Sequence, residues 1–210
     1  MHLVDLTMPV PERENNHPNV MTDPWHIVGP DFEFTGMVYH FNHWSMSGTY
    51  IDLPGHIKEV DDGMTAENYP IEKLYEVETA VIHLDRADRP GKISADELAE
   101  HAPDTKGCGA LVVHALGNKR HDEVPERSVA LTKSACEWIA DQGVHLLISD
   151  VYEHATEPEN VFSHLFGAGV STVCAPVNLH LLDKPIFKIS VLFPRFYNVT
   201  QLACRVIAKL

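Results

Sequence analysis

Residues 132–149, TKSACEWIADQGVHLLIS, spell one complete αβ unit. Thr132 stands before an amphipathic run that sets Ala135, Trp138 and Ile139 on one face, the arrangement of an N-cap followed by a helix. Gly143 closes the run, and 144–149 is a short apolar stretch of the buried-strand kind. The same grammar extends outward. Stretches 77–84 (VETAVIHL), 110–114 (ALVVH) and 186–192 (IFKISVL) are short, apolar and bounded by turn residues, and Ser94 with Glu97 opens a second helix as a capping box. Residues 3–6 and 36–44 read as extended. Strands alternating with helices predict an α/β fold: one compact domain over 1–210 with a central mixed β structure flanked by helices. Residues 9–34, rich in Pro, Asn, Asp and Glu and without a sustained period, read as a long loop or arm.

Thirty acidic side chains against 16 basic ones give a net charge of −14. The longest basic run is Lys119-Arg120-His121, too little to track phosphates, so nucleic acid is excluded as a partner. No stretch has the length and apolarity of a membrane span, and MHLVDLTMPVPERENN lacks a leader's basic and apolar regions, which predicts a cytoplasmic protein without membrane attachment. Cys108, Cys136, Cys174 and Cys204 show no C-x-x-C spacing and read as reduced thiols. The compositional oddity is 14 histidines, the side chain most often spent on metals.

Chemistry concentrates in 39–56, YHFNHWSMSGTYIDLPGH. In an extended chain residues two apart share a face, which puts His40, Met46, Tyr50, Asp52 and His56 together, with Gly48 free to bulge. Pro54 and Gly55 end the strand and leave Asp52 and His56 beside a turn, where sites are commonly built. A histidine ordinarily titrating near 6.5 moves protons at neutral pH, a carboxylate orients it, and a phenol on the same face donates to a developing oxyanion. Read singly, Asp52 fits a turn cap and His56 a surface histidine equally well.

The segment MSGTYIDLPGH (46–56) resembles the H-x-G-T-H-x-D-x-P-x-H signature of the cyclase family of metal-dependent hydrolases, which includes bacterial kynurenine formamidase and isatin hydrolase. It matches at Gly48, Thr49, Asp52, Pro54 and His56. Val4-Asp5-Leu6-Thr7 is similar to the family's opening strand, 143–150 (GVHLLISD) to its G-x-x-L-I-G-x-D segment, and 169–182 to its G-x-x-I-x-E-N-L stretch; His164 stands where the family has a histidine, and Arg205 follows a strand as in its P-x-R pattern. The resemblance implies the family's fold, a homodimer or larger homo-oligomer, and a zinc or manganese ion held by the first two motif histidines, the Asp, a later His and a Glu, with the last motif histidine as general base. Here Met46 and Tyr50 replace the two histidines and Cys174, by a looser alignment, the Glu; Asp52, His56 and His164 are kept. A thioether is a soft ligand and a phenol a poor one at neutral pH. A metal site would therefore rest on Asp52, His164 and Cys174.

Two readings follow. In the first, the chain is a small-molecule enzyme that opens or closes a cyclic amide or lactone, or dehydrates a carbonyl compound, with His56 as acid/base, Asp52 as orienter and Tyr50 as polariser. Met46, His114, Trp44 and Phe41 would line its substrate pocket, with an apolar body for an aromatic substrate. In the second, it is a relative that keeps the fold and binds a ligand or partner without turnover. The cofactor stays open, with a divalent metal as the family's choice.

Overall fold

The structure, a computed structural model, describes residues 2–210. Strand β1 (Leu3–Asp5) is followed by a small hairpin, β2 (Arg13–Glu14) and β3 (His17–Pro18), and a long one, β4 (Val20–Gly29) and β5 (Phe32–Phe41). Then come β6 (Tyr50–Asp52), β7 (Val77–His83), β8 (Gly91–Ile93), α1 (Ala95–His101), β9 (Ala110–His114), β10 (Val129–Leu131), α2 (Lys133–Asp141), β11 (Leu146–Ser149), α3 (Val161–Gly167), β12 (Ser171–Cys174), β13 (Ile186–Leu192), β14 (Gln201–Ala203) and β15 (Arg205–Lys209).

Nine strands form one mixed sheet in the order β1-β15-β13-β7-β9-β11-β12-β6-β14. Its centre, β7-β9-β11-β12, is parallel, and both flanks are antiparallel. These central strands read as continuous apolar runs because both faces are covered. On β9 and β11, Ala110, Val112, Leu146 and Ile148 face a core made by other strands, among them Ile51, Val173, Ile189 and Val206. Leu111, Val113 and Leu147 face the helices, packing with Leu98 of α1, Ile139 of α2 and Phe166 of α3. Only Cys204 separates β14, at one end of the sheet, from β15, next to the other end, so the sheet must curl until its ends approach.

The helix signals act as expected. Ser94 Oγ accepts from the Glu97 N–H at 3.3 Å and Thr132 Oγ1 from the Ala135 N–H at 3.1 Å; caps of this kind are worth about 1 kcal/mol each. Gly143 takes φ +73° after α2, the left-handed turn that glycine adopts without strain. The Glu97 carboxylate does not complete the capping box; it binds Arg86 at 3.0 Å instead.

The loop-or-arm reading of 9–34 and the extended reading of 36–44 are each corrected in part. Much of 9–34 is not an unpaired loop: from Val20 it enters the ribbon β4–β5, paired from Val20↔Phe41 to Gly29↔Phe32. The strand read through 36–44 ends at Phe41 and gives way to turns before β6.

Candidate active site

Strand register builds the site. On one side of β6, Cys174 lies opposite Tyr50 and Thr172 opposite Asp52; on the other, Ala203 lies opposite Tyr50 and Gln201 opposite Asp52. Ile51, Val173 and Leu202 turn into the core, so the alternate residues Tyr50, Asp52, Cys174 and Gln201 share the opposite face. The Cys174 thiol points at Asp52 Oδ2 across 3.7 Å, and the Tyr50 hydroxyl is within hydrogen-bonding reach of the same sulfur. Asp52 Oδ1 is buried with no partner among the described residues.

Beyond Asp52 the chain of contacts continues. The Ser45 hydroxyl donates to Gln201 Oε1, which turns the Gln201 amide N–H toward His56 Nε2 at 3.2 Å.

Burial sets the protonation of the cluster. It pushes the Tyr50 phenol far above its ordinary range, with Cys174 and Asp52 adding to the effect. It pushes the Cys174 thiol well up, reinforced by the Asp52 charge, and raises Asp52 against the opposing pull of Gln201 and His56. Tyr50 and Cys174 are thus neutral donors at physiological pH, and the thiol is no nucleophile.

Tyr50 opens onto a cavity of about 420 Å³, within the size range of small-molecule sites. Its walls are apolar at Met8, Met46 and Leu116 and aromatic at Tyr152 and Phe162, whose rings stack 5.1 Å apart. Cys174, Arg127, Glu153 and Asp150 also reach it. Three described residues that are neither Gly nor Asn take positive φ, and two of them, Arg127 (+48°) and Ala175 (+52°), line this cavity. Backbone held in that region costs about 1–3 kcal/mol per residue and clusters at functional sites.

The expected site residues fare unequally. Met46, Tyr50 and Cys174 line the cavity, and Asp52 lies behind them. His56, on a 3-10 turn over Pro54–His56, is exposed, contacts Gln201 and is not among the residues that line the cavity. His164 does not join Asp52 and Cys174: α3 buries Val161, Leu165 and Phe166, and among the described residues no three metal-capable side chains converge. Phe41 and Trp44 are each 72% exposed and line no cavity described here. His114 is buried at the wall of a smaller cavity of about 270 Å³, but both its nitrogens are engaged within the protein, by His83 Nδ1 at 2.7 Å and the Gly117 carbonyl at 2.7 Å. His40 stays on the ribbon, 3.9 Å from Asp23. Sequence reading missed Gln201, Tyr152 and Arg127; a Gln at an alternate position of the last strands was the one available signal.

The family's metal can be tested against these donors. Among the described residues no three His, Cys, Asp or Glu side chains converge as a metal site. Of the residues at the family's metal positions, those brought together are a half-exposed thioether, a phenol, a thiol and one carboxyl, with no imidazole among them. That set does not fit zinc or manganese, which require anionic or imidazole donors.

The curled mixed sheet with its outer helices is an architecture that the chain shares with solved structures over nearly its whole length. A crystal structure of a novel cyclase superposes with TM-score 0.71 at 12% identity, covering 100% of this chain and 88% of that one. Isatin hydrolase A from Labrenzia aggregata, bound to benzyl benzoate, gives 0.67 at 16% identity, covering 99% and 93%, and a "predicted metal-dependent hydrolase" from Bacillus stearothermophilus 0.65 at 19%, covering 99% and 97%. The chain belongs to the Cyclase family, whose profile matches residues 4–154. No curated protein matches it in sequence.

Proposed function

We propose that the protein is a small-molecule enzyme of the hydrolase or cyclase type that opens or closes a cyclic amide or lactone, or dehydrates a carbonyl compound, through hydrogen-bond and proton chemistry of its own side chains. One observation carries this reading: at a position where its family spends a histidine on metal, Tyr50 presents a phenol that burial keeps protonated, at the wall of a cavity of ligand size. These reactions share a carbonyl oxygen that gains negative charge, and a neutral O–H fixed in a water-poor site is suited to receive it. Tyr50 is the catalytic residue. Asp52 and His56 act through it as positioning residues, since neither reaches the cavity. The test is a panel of lactones, cyclic amides including isatin, and dehydratable carbonyl compounds, run with and without EDTA. Turnover is expected to survive EDTA, with substoichiometric zinc and manganese in protein purified without chelator. Stoichiometric metal that EDTA strips together with activity would overturn the reading.

The ribbon β4–β5 supports a homodimer. Trp25, Phe32, Phe34 and Phe41 are each more than half exposed on it, and a two-stranded hairpin standing alone is marginal in water. A second copy covering this ribbon is expected to give a dimer by sedimentation at micromolar concentration, and Phe34→Asp to shift it toward monomer. A wild-type monomer under those conditions would refute the assignment.

A further inference from the structure

Arg127 is an uncommitted cation in a strongly acidic chain. The nearby loop cations are tied down: Lys119 to Asp88 at 2.7 Å and Arg120 to Asp122 at 2.8 Å. Among the described residues Arg127 makes no ion pair and no side-chain hydrogen bond, although four carboxylates share its cavity. Three of the four are engaged elsewhere. Glu14 accepts from the Ser47 hydroxyl at 2.9 Å, Glu153 from the amides of Glu159 and Val161 at 2.6 and 2.8 Å, and Asp150 from those of Ala115 and Leu116. The fourth, Glu126, adjoins Arg127 in sequence without pairing with it within 4 Å.

We infer that Arg127 anchors an anionic group of the ligand, and that the cavity takes small aromatic acids: a carboxylate on the guanidinium next to Tyr50, with the ring against Met46, Tyr152 and Phe162. This rests on the reading of the cavity as the active site and adds the substrate's charge to it. An arginine fork matches a carboxylate in two parallel hydrogen bonds, and such charge-assisted bonds are the strong ones. Because the molecule as a whole is negative, long-range attraction works against an anion, so recognition has to come from this local group. The guanidinium's charge also pulls the Tyr50 phenol's pKa down against burial, Cys174 and Asp52, which raise it, so its field reaches the hydroxyl.

Benzoate and its neutral isostere benzamide are the probes, titrated by calorimetry, with the methyl NMR signals of Met8 and Met46 reporting whether either enters the cavity. Wild type is expected to bind benzoate about tenfold more tightly than benzamide, with shifts at both methyls. Arg127→Gln should bring the two ligands within about twofold while benzamide binding persists, and Arg127→Lys should retain a preference for benzoate. Equal binding of both probes by wild type, binding of neither, or a preference that survives Arg127→Gln would overturn the inference. The preference together with no turnover anywhere on the substrate panel would sink the catalytic reading and leave the anchor standing; turnover without the preference would do the reverse.

Discussion

Replacing Tyr50 by Phe is expected to lower kcat about 100- to 1,000-fold on a substrate of this enzyme, the range seen when one oxyanion donor is removed. Volume is nearly conserved, and Cys174 keeps its contact with Asp52 at 3.7 Å, so stability should change by about 1 kcal/mol or less. Steady-state kinetics beside urea unfolding separate the two effects. The pH profile sharpens the test. Burial, Cys174 and Asp52 hold the phenol far above its ordinary range, so no alkaline loss of activity should trace to Tyr50 below about pH 10. An unchanged kcat in Tyr50→Phe would remove this residue from the reacting atoms. A loss matched by equal unfolding would make its role structural.

That Tyr50 and Asp52 belong together was legible from their spacing; what surrounds them was not. Period-two reasoning took 39–56 as one extended run, but strand covers only residues 39–41, at the end of β5, and Tyr50–Asp52. Between Phe41 and Tyr50 the chain turns, and Gly48 sits at φ +70° where an added Cβ would stand 2.7 Å from the Met8 carbonyl oxygen. Each turn resets the phase, which is why His40 stays on the ribbon while Met46 still reaches the cavity. Gln201 enters across the β6–β14 ladder, nearly 150 residues away in the chain, and no local pattern encodes a register of that range. The ribbon was illegible for another reason. Both its faces are open in the single chain, so its apolar residues follow no one-sided alternation. The central αβ units were readable because burial on both faces demands continuous apolar runs and because Thr132, Ser94 and Gly143 mark helix ends through local bonds.

The second large effect belongs to Asp150, which closes β11 and lines both the main cavity and the smaller one by His114. Burial pushes its carboxyl up to about 6, although the Ala115 and Leu116 amides donate to it at 2.9 and 3.0 Å and His83 pulls the same way. In the unfolded chain the carboxyl titrates near 3.8, so between the two values the folded protein holds a proton that the unfolded chain has released. Its contribution to stability is therefore fully present below pH 3.8 and is lost as pH rises through about 6. The gap from 3.8 to about 6 corresponds to about 3 kcal/mol. Histidines that burial holds low, His83, His114 and His145, push the opposite way in part of this window, so the wild-type curve alone does not isolate the effect. The difference from Asp150→Asn does. The stability of wild type minus that of the variant, from urea unfolding at steps between pH 4 and 7.5, is expected to fall by about 3 kcal/mol up to about pH 6.5 and then level off. If the variant does not fold, the 13C shift of the Asp150 carboxyl reports the same midpoint directly. A flat difference curve, or a midpoint at the ordinary carboxylate value, would show that the two amides and His83 fully offset the burial of Asp150.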